Sequence, residues 1–333
     1  MGSYYCRGES VALSKRGVFF TFLAIIFVAV LVLLYTFKQP QQLREEAFIL
    51  ETRVFTMNDV FLDIVEDAER MLYVTTFRSV VAMEDDIANN GEFISNVSTV
   101  FNELFLNGSI NGTAQQVMAN NTFPVWRDHM LAQASKIGVS LSLSAGDTVI
   151  EHSSPWSIRT EFDLTVSLRD VTSNASWNVI KPITALVDID QFEDPVYRLN
   201  TVGRIINLVI ETNITDFVQG NDTKNLMIHT NNSWYREWTG APSFLMRLEG
   251  RLNESSPYGI ESLVDLQELM NAGLAIETKS IVDYIYFSDE NPQSCVVEYM
   301  PAWWRIDGLP NAENSTSHPY YYEVEGLISP GCT

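Results

Sequence analysis

The run Val18–Phe37 limits this chain more than any other feature. "VFFTFLAIIFVAVLVLLYTF" holds no charge, and only Thr21, Tyr35 and Thr36 carry polar groups. As a helix rising about 1.5 Å per residue it reaches about 30 Å, the thickness of a bilayer core. A core helix of a globular domain keeps a polar face, and this run has none. A secretory signal has an apolar region of about 7–15 residues and then a small-x-small cleavage site. Thr36, Phe37, Lys38, Gln39 and Pro40 offer no such site. The run is expected to be a retained transmembrane helix.

Orientation is not set by the flanks. Arg7, Lys15 and Arg16 precede the run, and Lys38, Arg44 and Arg53 follow it, so basic residues are balanced across it. The Asn-x-Ser/Thr sequons decide better. There are ten, at Asn96, Asn107, Asn111, Asn120, Asn174, Asn213, Asn221, Asn231, Asn253 and Asn314. The Asn, Ser and Thr content alone would leave about three or four, and all ten follow the apolar run. Sequons are glycosylated on the extracytoplasmic side. The sequence therefore predicts a single-pass protein of the cell membrane, its N-terminus inside and the rest a glycoprotein outside. The three cysteines agree. Cys6 stands alone on the inner segment, whereas Cys295 and Cys332 are both outside and are expected to form a disulfide.

The net charge is −21. Residues 1–17 carry three bases and one acid, so everything after them is more acidic still. Nucleic acid is excluded as a partner, because phosphate binding needs a basic footprint.

After Pro40 the period becomes helical. From near Gln41 to near Asn89 no Pro or Gly interrupts the chain, and Asn89-Asn90-Gly91 marks a stop. Leu50, Val54, Met57, Phe61, Ile64, Ala68 and Met71 recur at alternating steps of four and three, a heptad seam. At least half of this helix is expected against the protein's own domain. Leu50, Val54, Met57, Phe61 and Ile64, nearest the membrane, are expected to stay in water as a self-association surface.

Residues 92–137 read as further helix. "VSLSLSAGDTVIEH" reads as a hairpin across Ala145-Gly146-Asp147, and residues 157–190 as long alternating strands with a Ser-Asn turn. "VGRIINLVIETNI" reads as a strand or short helix, and residues 221–256 as a polar, aromatic loop region. "IESLVDLQELMNAG" reads as a helix stopped at Gly273. "KSIVDYIYFS", "CVVEYM" and "YYYEVEGL" read as late strands. The predicted fold class is α+β: residues 1–17 a cytoplasmic leader segment, 18–37 a transmembrane helix, 38–91 a long amphipathic helix, and 92–333 an extracytoplasmic head of helices and antiparallel sheet.

Lys15-Arg16-Gly17 directly before an apolar run, which continues into a long amphipathic helix and then a β-rich head, resembles the type IV pilin-like proteins, the archaeal ones with class III signal peptides above all. Phe22 stands where bacterial pilins carry an acid, a position the archaeal pattern leaves free. The resemblance implies cleavage after Gly17 by a prepilin peptidase, a mature chain starting at Val18, and assembly through packed N-terminal helices. It implies a structural or adhesive subunit of a type IV pilus-like assembly, of the minor or tip type given the large head. The alternative is a signal-anchored ectodomain that binds or processes an extracellular ligand.

No enzyme, cofactor or metal site is expected. His129, His152, His229 and His318 lack metal spacing, and no nucleophile elbow or phosphate loop is present. Asp188, Asp190, Glu193 and Asp194 could hold Ca²⁺, but they fit a solvated acidic turn better. Asp265, Glu268 and Asp283 are the acids an acidic chain supplies by composition. Trp234, Tyr235, Trp238, Trp303, Trp304 and Tyr320–Tyr322 are suited to a glycan or protein ligand, but fit the core of the head better.

Overall fold

The computed structural model describes residues 15–171, 176–308 and 317–328, with side chains in the first helix at 17–36, 48 and 51 onward. It is mixed α+β with antiparallel sheets, and the chain divides into two compact units at Val60 and Phe61. One helix, α1, spans Lys15–Asn90. Pro40 cannot donate a backbone hydrogen bond, yet the helix runs through it. The apolar run and the amphipathic segment are thus one element. Gly91, at φ +72°, ends it with its N–H on the Ile87 carbonyl at 2.9 Å.

In the second unit, α2 (Val97–Asn107) starts at Asn96, whose side chain accepts the Thr99 N–H at 2.8 Å, and stops at left-handed Gly108. Two short strands follow, β1 (Ser109–Ile110) and β2 (Thr113–Ala114), and then α3 (Phe123–Lys136) with Pro124 in its first turn. The main sheet is an antiparallel meander of β3 (Val139–Ser154), β4 (Ser157–Asp170) and β5 (Ser176–Asp188). Central β4 buries Ile158, Phe162, Leu164, Val166 and Leu168. Phe162 packs on Phe105 of α2 and Phe123 of α3, with ring centroids 5.1 and 5.8 Å apart. On α1, Thr76 joins the same core through a buried hydroxyl pair with Thr160 at 2.8 Å.

The rest is built from short pieces. These are α4 (Pro195–Asn200), α5 (Lys224–Asn231), β6 (Tyr235–Glu237), α6 (Phe244–Leu248), β7 (Ile260–Ser262), α7 (Leu266–Asn271), α8 (Asp283–Tyr286), β8 (Ser294–Val296), β9 (Arg305–Asp307) and α9 (His318–Tyr321). β6 pairs with β7, and β8 with β9. They surround a second core that includes Phe217, Leu263, Val282, Trp304 and Tyr322.

Several expectations are corrected. Ala145-Gly146-Asp147 is no hairpin. β3 runs straight through, and Gly146 and Asp147 form a bulge opposite Asp163, because β4 is long enough to pair with both halves. "VGRIINLVIETNI" forms neither strand nor helix and makes only isolated bridges. The region 221–256 contains α5, β6 and α6 rather than loop alone. Of the late strands, only "CVVEYM" contributes one, β8. "KSIVDYIYFS" holds α8, and "YYYEVEGL" holds the end of α9 and a 3₁₀ turn at Glu325–Leu327. Short buried helices and strands share an unbroken apolar pattern, so periodicity cannot separate them. The Ser173-Asn174 turn lies outside the described residues.

Candidate functional site

The apolar part of α1 is fully exposed. Gly17–Thr36 is long and apolar enough to cross a membrane, and none of it is buried. Its threonine hydroxyls are satisfied within the helix. Thr21 Oγ1 donates to the Gly17 and Val18 carbonyls, at 3.1 and 2.9 Å, and Thr36 Oγ1 to the Leu33 carbonyl at 2.9 Å. A hydrocarbon environment imposes this requirement, since it offers no water to a lone polar group. Lys15 and Arg16 begin α1, but their side chains are outside the described ones.

The first unit also has a regularity that the sequence reading missed. Phe20, Phe27, Leu34, Phe48 and Phe55 are all about two-thirds exposed. They stand seven apart, with Gln41 filling the one gap. Seven residues advance an α-helix by almost two whole turns, so each step of the series shifts by only about 20° around the helix. The signal is a plain sevenfold repeat in the sequence that crosses the end of the apolar run.

That seam needs correction. Met57 and Ile64 are buried, at 2 and 4% exposure, Phe61 is half-buried and Val54 is exposed. The Leu50 side chain lies outside the described ones. A strip comprising Leu50, Val54, Met57, Phe61 and Ile64 therefore does not lie open in water. From Met57 onward its steps of three and four pass through buried Ile64 into buried Ala68 and Leu72.

Eight of the ten sequon asparagines are described, and all eight are exposed: Asn96, Asn107, Asn111, Asn120, Asn213, Asn221, Asn231 and Asn253. Asn174 and Asn314 lie outside the described residues. Asn111 and Asn120 adopt φ of 49 and 63°, a turn conformation that Asn tolerates and that turns its side chain out. Cys295 is buried in β8, and both Cys6 and Cys332 lie outside the described residues.

The candidate catalytic and metal residues go to structural work. Among the described residues no cluster of His, Cys, Asp and Glu could hold a metal ion. The acids of 188–194 disperse. Glu193 pairs with Arg198 at 3.3 Å, while Asp194 is wholly buried and caps α4 through the Val196 N–H at 2.8 Å. Asp265 caps α7, accepting from the Gln267 and Glu268 N–H groups. His152 donates from Nδ1 to the Ser154 carbonyl and accepts the Leu245 N–H at Nε2. Burial pushes it down to about 4, so it is neutral. His229 is lowered to about 3 by burial and by the Arg236 charge.

Two buried ionic groups meet at adjacent residues of β7. Ser262 donates to Asp283 at 2.8 Å, and Asp283 and Asp194 both bind Arg247. Glu261 accepts from His318 Nε2 at 3.0 Å and from the Tyr322 hydroxyl at 2.9 Å. His318 Nδ1 bonds Asp307 at 2.8 Å. Burial opposes its charge, yet Glu261 and Asp307 push it up to about 10 and hold it as imidazolium. Asp307 is held below the usual carboxylate range by the same pairing, against its own burial. No sequence spacing signals these partners, which are up to 61 residues apart. The aromatics divide likewise. Tyr235, Trp304 and Tyr322 are wholly buried, Trp234, Trp238, Trp303 and Tyr321 half-buried, and Tyr320 exposed. Most of them serve as core.

No family model, curated protein or solved structure matches this chain.

Proposed function

We propose that this protein is a membrane-anchored cell-surface subunit of the archaeal type IV pilin-like kind, structural or adhesive rather than catalytic. Its N-terminus is inside and its second unit outside. The observation that carries this reading is the exposed sevenfold series Phe20, Phe27, Leu34, Phe48 and Phe55. Lipid covers the part within Gly17–Thr36, but Phe48 and Phe55 lie beyond that span. Large aromatics repeated every seven residues and left in water mark a contact surface. Copies anchored by the same span bring equivalent residues to the same height, so parallel helices can pack in register. Charging that face (Phe48→Glu with Phe55→Glu) is expected to abolish chemical cross-linking between copies in membranes while the head stays protease-resistant. Cross-linking unchanged by the double substitution would remove the assembly reading and leave the ectodomain one.

Glycosylation outside is supported by the exposure of all eight described sequon asparagines. Cys295 is buried and disulfide-bonded, which supports its pairing with Cys332 in an oxidising compartment. Lys15, Arg16 and Gly17 are the proposed recognition site of a prepilin peptidase.

A further inference from the structure

Asn120 lines a cleft of about 450 Å³ between the second half of α1 and the start of α3. Ligand sites fall in the range of about 300–1,000 Å³. Val74, Val125 and Trp126 make the cleft apolar, and Asp67 and His129 add polar groups. Trp126 is fixed there by its Nε1–H, which donates to Asp67 Oδ2 at 2.8 Å. An indole held in place beside a carboxylate and an imidazole suits a sugar. The C–H face of a pyranose packs on the ring, and its hydroxyls reach the polar groups.

The turn that carries Asn120 is clamped to α1 on either side. Thr75 Oγ1 donates to the Asn121 carbonyl at 3.2 Å, and Arg78 Nη1 to the Val117 carbonyl at 2.8 Å. Asn120 is thus held at the cleft while its side chain remains exposed. Thr122, the sequon residue that carries the hydroxyl, is buried in the fold. A transferase that must engage that hydroxyl needs this segment open, so the sugar is attached before the cleft closes around it.

We propose that the cleft is occupied by the glycan of Asn120 itself, its first sugar rings folded back over Val125 and Trp126. The modification site is then also an internal ligand site that staples α3 to α1. This rests on the glycosylation reading above. A tethered sugar meets the cleft at millimolar effective concentration, so weak stacking is enough to hold it.

The test uses the full-length protein extracted from its own membranes in detergent. Glycopeptide mass first reports which sequons are modified. Hydrogen exchange over residues 120–129 is then compared between wild type, Asn120→Asp, which keeps the tolerance for positive φ, and Asn231→Gln, which removes a sequon on α5. Exchange at the start of α3 is expected to be about tenfold faster in Asn120→Asp and unchanged in Asn231→Gln. A glycan on Asn120 whose loss leaves exchange unchanged would overturn the docking alone. Glycans at other sequons but none on Asn120 would also overturn it, with the glycoprotein reading intact. Bare polypeptide at every sequon would overturn both.

Discussion

Arg247 and Asp283 form an ion pair in which both side chains are wholly buried, Nη1 lying 2.8 Å from Oδ2. Asp194 is on the same guanidinium nitrogen at 2.7 Å, and the Ile260 carbonyl accepts from Nη2. Tyr235 donates to Asp194 at 2.6 Å. One residue thereby ties together α4, α6, β7 and α8, elements too short to hold themselves. The pairing carboxylates outweigh burial and keep Arg247 charged. Removing one member of a buried pair leaves the other uncompensated, at about 3–5 kcal/mol. Arg247→Met should lower stability by about that amount. Thermal unfolding of the purified chain checks this, and a midpoint equal to wild type would show that the pair is dispensable.

Above about pH 6.5 stability should fall as pH rises, for two reasons of the same sign; below it, the buried neutral His152 and His229, which take up protons on unfolding, act the other way. His318 holds its proton to about pH 10 in the fold, whereas an unfolded histidine releases it near about 6.5. Its contribution is complete below about 6.5 and is lost as pH climbs through 10. Glu84 on α1 is raised to about 9 by burial, and by Glu193 and Asp85 beside it. Unfolding frees it to ionise near about 4.3, so the folded state binds the extra proton and weakens from there up to about 9. Melting followed from pH 7 to pH 9 should show a steady decline. Glu84→Gln and His318→Gln should each make that decline about half as steep. A flat profile for wild type would contradict both assignments.

Gly259 is irreplaceable for a simpler reason. A Cβ there would lie 2.2 Å from the Ala241 carbonyl oxygen and 2.3 Å from that of Trp238. Both are backbone atoms, and the Gly259 carbonyl accepts the Trp238 N–H at 2.9 Å. Gly259→Ala must spread this crossing beside the β6–β7 ladder. We expect a loss of more than about 2 kcal/mol, within the tail that overpacking and strain produce. Wild-type resistance to proteolysis in Gly259→Ala would refute this.

What the sequence made legible follows from what each signal depends on. The long helix was readable, because breakers and caps act locally: Gly91 and Gly273 stop helices as their positions suggest. The meander was readable from alternation in β4 and β5. The bulge at Gly146 was not, since a bulge and a turn use the same small residues, and only the length of the partner strand separates them. Met57 and Ile64 show another limit. A heptad gives the face but not what covers it, and the chain covers that face itself while Phe48 and Phe55 stay open. The Glu261–His318–Asp307 group had no sequence signature, because it is assembled by tertiary contacts alone.

The exposed helix is proposed as an anchor kept in the membrane after its leader is removed on the inner side. The mass of the N-terminal peptide of the protein extracted from its native membrane tests it most directly. A peptide beginning at Val18, with the cut after Gly17, is expected. A peptide that begins at residue 1, or beyond residue 37, would contradict it.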